Sequence, residues 1–180
     1  MEEYNTGKSY VDNFTGIYGT VKIENGEYLV IGRNHWVAQG FMTIGSYLAY
    51  SGSLYGGTDN WGIHLGSDTT TVTTVSMTAL AAQTSAGPSS ASYSGTFYAS
   101  STTAVVLTYT GTWNAGTVSG TLGEVGLYLN LNTAGISGGE NGGTGGLVSR
   151  LSAADGSFTA FTINTSAALT VTWVVKLVYS

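Results

Sequence analysis

The run Leu169-Thr-Val-Thr-Trp-Val-Val-Lys-Leu-Val-Tyr-Ser180 decides the fold class of this chain. Side chains alternate along a strand, so Leu169, Val171, Trp173, Val175, Leu177 and Tyr179 share one face. The opposite face reads Thr170, Thr172, Val174, Lys176 and Val178, which is at most partly solvated. A strand of this length, apolar on one side and mixed on the other, belongs near the middle of a sheet.

Working outward from that strand, the pattern repeats. Strands are expected at 157–164 and 147–152, behind a loop from Gly135 to Gly146 that holds seven glycines in twelve residues. Earlier strands are expected at Leu122–Leu131, Ala104–Tyr109, Tyr93–Ala99 and Trp61–Leu65. Strands recurring every ~8–12 residues with turn signals between them read as a sandwich or jelly roll. Near the N-terminus, Ile17–Glu24 and Glu27–Gly32 flank Asn25-Gly26, a strong hairpin signal because the turn requires positive φ. Residues 1–15 are polar with isolated aromatics and read as an arm, leaving 16–180 as one β-sandwich domain.

One helix is expected. Asn34 suits an N-cap, and Val37, Phe41, Ile44 and Leu48 form a single stripe, so the spacing predicts a helix over 34–50. Gly40 and Gly45 each weaken it by about 1 kcal/mol, so it needs tertiary packing. The expected fold is therefore all-β, an antiparallel β-sandwich or jelly roll with one amphipathic helix.

Composition narrows the function. The 180 residues contain no cysteine, which removes disulfides and thiolate metal sites. Only 8% are charged, against about 25% in ordinary soluble domains. From Thr69 to Gly123 there is no Asp, Glu, Lys or Arg, a run of 55 residues. Yet Tyr93, Phe97, Tyr98, Val105, Val106, Leu107, Tyr109 and Trp113 give that run too many strand formers for a solvated coil. A net charge of −5 with five scattered cations argues against a nucleic-acid groove. No apolar run nears the ~20 residues that cross a bilayer, and Met1-Glu-Glu lacks the basic and apolar regions of a signal peptide. No nucleic-acid or membrane partner is expected, and synthesis is expected in a cytoplasm.

Sites for chemistry are sparse. Gly135-Ile-Ser137-Gly-Gly139 fits G-x-S-x-G, but a nucleophile elbow needs a strand before the serine and a helix after it. His35 and His64 have no acidic neighbour at ligand spacing and read as ordinary histidines. Asp59, Asp68, Glu140 and Asp155 sit in loops without the spacing of a calcium loop and read as solvated turn formers. No catalytic residue, metal or cofactor is expected. Trp113, in a glycine-flanked turn, is the aromatic expected at the surface, where it would serve a glycan platform. Glu124 and Arg150 are rare charges on consecutive C-terminal strands. A carboxylate matches a guanidinium fork, so they are expected either to pair and fix register or to point separately to solvent.

The segments Glu124-Val-Gly-Leu127, Leu147-Val-Ser-Arg150 and Leu169-x-Val-x-Trp173, with Asn34–Leu48, Ile63-His-Leu-Gly66 and Thr78-Ala-Leu80 upstream, resemble structural proteins of tailed-phage virions. The resemblance covers roughly residues 30–180 and takes in capsid decoration proteins and tail or fibre components alike. It implies a virion protein of a bacteriophage that acts by self-assembly and by binding other virion proteins. A homo-oligomer is expected, in the form of a trimer that buries the uncharged surface. The reading from a different class is a glycan-binding adhesin or fibre-tip module.

Overall fold

The computed structural model describes residues 14–38, 40, 60–84, 98–101, 104–130 and 146–179. The chain is mostly strand: β1 (Phe14–Asn25), β2 (Tyr28–Arg33), β3 (His35–Trp36), β4 (Asn60–Gly66), β5 (Tyr98–Ser101) and β6 (Ala104–Trp113), then β7 (Thr121–Leu122), β8 (Glu124–Asn130), β9 (Gly146–Ser152), β10 (Phe161–Thr162) and β11 (Leu169–Tyr179). Five form one sheet in the order β2-β1-β11-β6-β5, and four form another in the order β3-β9-β8-β4. A two-stranded ribbon joins β10 to β7. Every pairing is antiparallel.

The decisive strand takes the place its pattern requires. β11 is the third of five strands, and Leu169, Val171, Trp173 and Val175 are all buried. They meet Val21 and Ile23 of β1, Ile63 and Leu65 of β4, Val125 and Leu127 of β8, and Leu151 of β9 in one core cluster. Both large sheets therefore supply one apolar centre. Each aliphatic side chain buried there contributes about 1.5–3 kcal/mol. Below, the face of each sheet that joins this cluster is called inner and the other outer.

The hairpin turn differs in detail from the sequence reading. Its two central residues are Gly26, at φ +62°, and Glu27. Asn25 is instead the last residue of β1, fully buried. Its Nδ2 donates to the carbonyls of Asn164 at 3.1 Å and Ala168 at 3.2 Å, and its Oδ1 accepts from Asn164 N–H at 2.6 Å. One amide side chain thus ties the hairpin to the turn that launches β11.

The expected helix over 34–50 is not seen. His35–Trp36 is strand, paired with β9 through His35↔Arg150 and Trp36↔Ser149. Asn34 is no N-cap; its Nδ2 donates to Ser149 Oγ. A free sheet edge at β9 offers ladder hydrogen bonds to His35 and Trp36, so the segment begins as strand. Among the described residues helical backbone occurs at Ala38 and Gly40, besides a single 3-10 turn at Ala153–Asp155, and 41–59 lie outside them. Of the expected arm, 1–13 also lie outside, and β1 begins at Phe14. The strand expected at 157–164 shrinks to Phe161–Thr162. Before it, Ser152 caps the 3-10 turn by accepting from Ala154 N–H, and Gly156 closes it at φ +71°.

Candidate functional site

The outer face of the four-stranded sheet is covered by residues 67–84, an irregular strap that returns to lie along the end of β4. Ser67 N–H donates to Ala82 carbonyl and Thr84 N–H to Leu65 carbonyl, both at 2.9 Å. Because Val125, Leu127 and Leu151 point inward, alternation turns Glu124, Gly126, Tyr128 and Arg150 toward the strap. The β8–β9 register sets Gly126 opposite Arg150 and Glu124 opposite Ser152, so the two charged residues are diagonal neighbours.

Glu124 and Arg150 are brought together, and both side chains are wholly buried. Arg150 Nε donates to Glu124 Oε2 at 2.8 Å, and its terminal nitrogen Nη2 lies 2.7 Å from the same oxygen. The rest of the carboxylate serves the strap, taking Ala82 N–H at 2.7 Å on Oε1 and Ala81 N–H at 3.1 Å on Oε2. Arg150 Nη1 donates to Thr71 carbonyl at 2.7 Å and Thr73 Oγ1 at 3.0 Å. Both ions therefore hold strap backbone as well as each other. A buried pair repays its desolvation only when its remaining donors and acceptors are satisfied, and here they are.

Two more acids fasten the strap. Asp68 Oδ2 accepts N–H from Thr71 at 2.7 Å and from Thr70 at 3.2 Å, and lies 3.5 Å from Arg150 Nη2. These donors, Thr71 N–H foremost, hold the Asp68 carboxyl below its ordinary value. Asp155, in the 3-10 turn, accepts Thr73 N–H at 2.7 Å and the Thr73 hydroxyl. His35 Nε2 stands 4.0 Å from Asp155 Oδ2. In sequence both read as solvated turn formers: Asp68 does form a turn, accepting from the two residues that follow Thr69, while the Asp155 side chain is buried and satisfies a distant strap amide.

Apolar contacts complete the seal. Leu80, Val37, Tyr128 and Leu147 form a second buried cluster, with Met77 packed against it. Leu80 N–H donates to Tyr128 Oη at 2.7 Å, and burial pushes the phenol up to about 12. The His64 ring stacks on Tyr128 with centroids 4.3 Å apart. Burial lowers the His64 pKa, and a hydrogen bond with Gln83 opposes part of that shift. Gly126 leaves space for the strap: a Cβ there would stand 2.7 Å from Leu147 Cδ1 and 2.9 Å from Leu80 Cδ2. At Gly66 a Cβ would stand 2.5 Å from Glu124 Cγ.

Trp113 requires a correction. It is only 4% exposed and belongs to the main core, not to the surface. β6 continues to Trp113, which pairs with Leu169, and Gly111 leaves room for the ring, Trp113 Cη2 standing 3.3 Å from where a Cβ would be. Ser137, Asp59 and Glu140 lie outside the described residues. A cavity of about 200 Å³ opens between Leu65, Thr84, Val118, Thr121, Leu122 and Ile163. The described residues that line it include no titratable side chain.

The arrangement ties the strap to the sheet. Glu124 has its oxygens occupied by four donors, and Arg150 is sealed from solvent. Sequence reading missed Tyr128, Gly66 and Gly126 as parts of the seal. The signal available was a Gly two residues after Glu124 and another opposite it, where cross-strand side chains would collide. Compared with protein-family models, curated proteins and solved structures, the chain finds no significant match.

Proposed function

We propose that this chain is a virion structural protein, a capsid decoration or tail or fibre component that works by self-assembly and by binding other virion proteins. The family resemblance of its C-terminal strands supplies the virion context. Its two sheets are read as a β-sandwich of jelly-roll type, because side chains from both share one core. The supporting observation is the outer face of the five-stranded sheet. There Thr20, Thr170, Thr172, Thr108, Thr110 and Thr112 lie in register across β1, β11 and β6. Beside them on β2, Leu29 and Ile31 are 59% and 69% exposed. The same face carries Lys22 and Glu24, paired at 2.8 Å, with Arg33 and Lys176 beside them, so a partner covers its hydroxyls and aliphatics at low cost where it matches these few charges, whereas the buried ions are committed to the strap.

A closed oligomer follows from this reading, the trimer being one form, since closed symmetry consumes surfaces that would otherwise aggregate. The glycan-binding alternative loses the aromatic it named, because Trp113 is in the core. The test is an inventory of particles from the source by mass spectrometry and cryo-EM. A virion role expects this chain at fixed stoichiometry on the particle, in tens to hundreds of copies if it decorates a capsid. Particles without it, or purified protein that binds no particle, would overturn the reading.

A further inference from the structure

Strand β2 is the outermost strand of the five-stranded sheet and pairs on one side with β1. Tyr28 closes the two-residue turn opposite Asn25. Hydrogen bonds alternate along an antiparallel pair, so the even residues of β2 bond to β1. Asn34 N–H, which donates to Gly19 carbonyl at 3.3 Å, has the same parity. The N–H and C=O groups of Leu29, Ile31 and Arg33 therefore point along the sheet edge. Their side chains share the outer face by alternation, Glu27 precedes the strand in the turn at one end of that face, and all four residues are exposed.

Read along that face, the order is Glu27, Leu29, Ile31, Arg33: acid, aliphatic, aliphatic, base. Such an order is complementary to itself when reversed. We infer that β2 pairs antiparallel with β2 of a second copy of this chain, about a two-fold axis through Val30. This deepens the self-assembly reading above, and rests on it only for its biological setting. In this register Leu29 meets Ile31 of the second copy, and each donates its N–H to the other's carbonyl. Glu27 meets Arg33 of the second copy at both ends. On the inner face Val30 meets its own equivalent, and Tyr28, stacked on Phe161 of its own chain with ring centroids 5.0 Å apart, lies opposite Gly32.

Neighbouring registers fail on the same residues. Moving the axis to Leu29 puts Glu27 against Ile31; moving it to Ile31 puts Leu29 against Arg33. Each loses both ion pairs and replaces the two Leu29–Ile31 pairs with a single aliphatic pair, Leu29 or Ile31 against its own equivalent. Odd-numbered shifts set outward-pointing groups against inward-pointing ones and form no ladder. The isologous contact is closed, so it covers two liable edges without leading to a fibre.

Charge reversal tests the register. Glu27→Arg sets like charges opposite each other at both ends, and so does Arg33→Glu. Each should weaken dimerisation by about tenfold in sedimentation equilibrium. The double variant, Glu27→Arg with Arg33→Glu, recreates both pairs and should return to the starting affinity. All positions are exposed, and circular dichroism checks that each variant keeps its fold. The chain has no cysteine, which permits a second test. Leu29→Cys mixed with Ile31→Cys should form a disulfide-linked dimer, because directly opposed residues lie about 5.5 Å apart between Cα atoms. Either variant alone should not. A chain that stays monomeric to about 1 mM, an affinity weaker than about −4 kcal/mol, overturns the inference. So does a dimer indifferent to the reversals, or one that crosslinks through either cysteine alone. Particle binding is read separately: a monomer that still binds particles refutes this contact and spares the virion reading, and a dimer of this kind that binds none does the reverse.

Discussion

The outer faces of the two large sheets carry the same kind of chemistry under opposite conditions. Each holds one close Glu–cation pair. On the four-stranded sheet Glu124 and Arg150 are buried beneath the strap, with backbone partners on both ions. On the five-stranded sheet Lys22 Nζ lies 2.8 Å from Glu24 Oε1, with the two side chains 45% and 47% exposed. The distances differ by a tenth of an ångström, so distance cannot distinguish their energetic roles. Solvent does. Water screens the open pair and leaves it free to exchange partners, while the covered pair has been stripped of water and must be satisfied by protein. Coverage, not proximity, makes a charge indispensable in this molecule.

The covered side should therefore produce the largest loss. Arg150→Met leaves the Glu124 carboxylate buried without its cation, and should cost about 3–5 kcal/mol in urea unfolding. That is comparable to the whole stability of a weak domain. Glu124→Leu should cost a similar amount. The double variant should cost less than the sum, because neither ion is then left alone. It should not return to the parent value, because Ala81 and Ala82 N–H still lose their acceptor. Additive single effects would show that the two ions are not coupled.

Gly66→Ala comes next. Its Cβ would meet the Glu124 side chain at a point where that side chain cannot retreat, and overpacking of this kind costs about 1–3 kcal/mol. Gly116→Ala is the contrasting control: nothing lies within 4 Å of its Cβ, and only its φ of +80° penalises a side chain. That change should cost about 1 kcal/mol. Equal losses at the two positions would remove the argument for a tight seal over Glu124.

Acid should loosen the covered side before the open one. Burial holds the folded His64 pKa below the ordinary histidine value of 6.5. The unfolded chain therefore takes up the proton first. The stability this group contributes is fully present above pH 6.5 and is lost as pH falls through the folded value. Asp68, lowered by Thr71 and Thr70 N–H, acts in the same direction below the ordinary aspartate value of 3.8. The urea midpoint should fall between pH 7 and pH 5, and His64→Phe, which keeps a ring to stack on Tyr128, should flatten that slope. An unchanged slope in the variant would assign the acid sensitivity elsewhere.

The two sides also differed in how far the sequence could be read. The open sheet was legible because its signal is periodic: β11 alternates for its whole length, and β1 and β2 alternate around a two-residue turn. The covered side was legible only in part. Glu124 and Arg150 stood out because charges are so scarce here, but nothing local marks Asp68 and Asp155 as anchors for Thr71 and Thr73. Their partners come from a strap with no period at all. The helix expected over 34–50 does not begin at Asn34 for a related reason. A stripe of apolar residues records what a segment would bury as a helix, not that β9 has an edge waiting for His35 and Trp36. Trp113 was misplaced because flanking glycines signal a turn, whereas Gly111 here makes room for the indole beneath the sheet.

The smallest effect sharpens the comparison most. Lys22 and Glu24 are two residues apart on one strand, so their side chains meet above β1 in open solvent. A double-mutant cycle with Lys22→Ala and Glu24→Ala should give a coupling of about 0.2–1 kcal/mol, the usual range for an exposed pair. At about 1 M salt the screening length shrinks to roughly 3 Å, and most of that coupling should vanish. The buried pair should keep its coupling in the same salt, because no ions reach it. A Lys22–Glu24 coupling above ~2 kcal/mol that survives salt would mean that this face is dehydrated in solution. Because Lys22 lies beside Ile31 and Glu24 beside Leu29, the dehydrating partner would have to cover the same aliphatic pair that faces the sheet edge. Repeating the cycle with Ile31→Thr, which adds no charge beside Lys22, separates the cases: if a second copy supplies the cover, the coupling falls back to the exposed value as the dimer is lost.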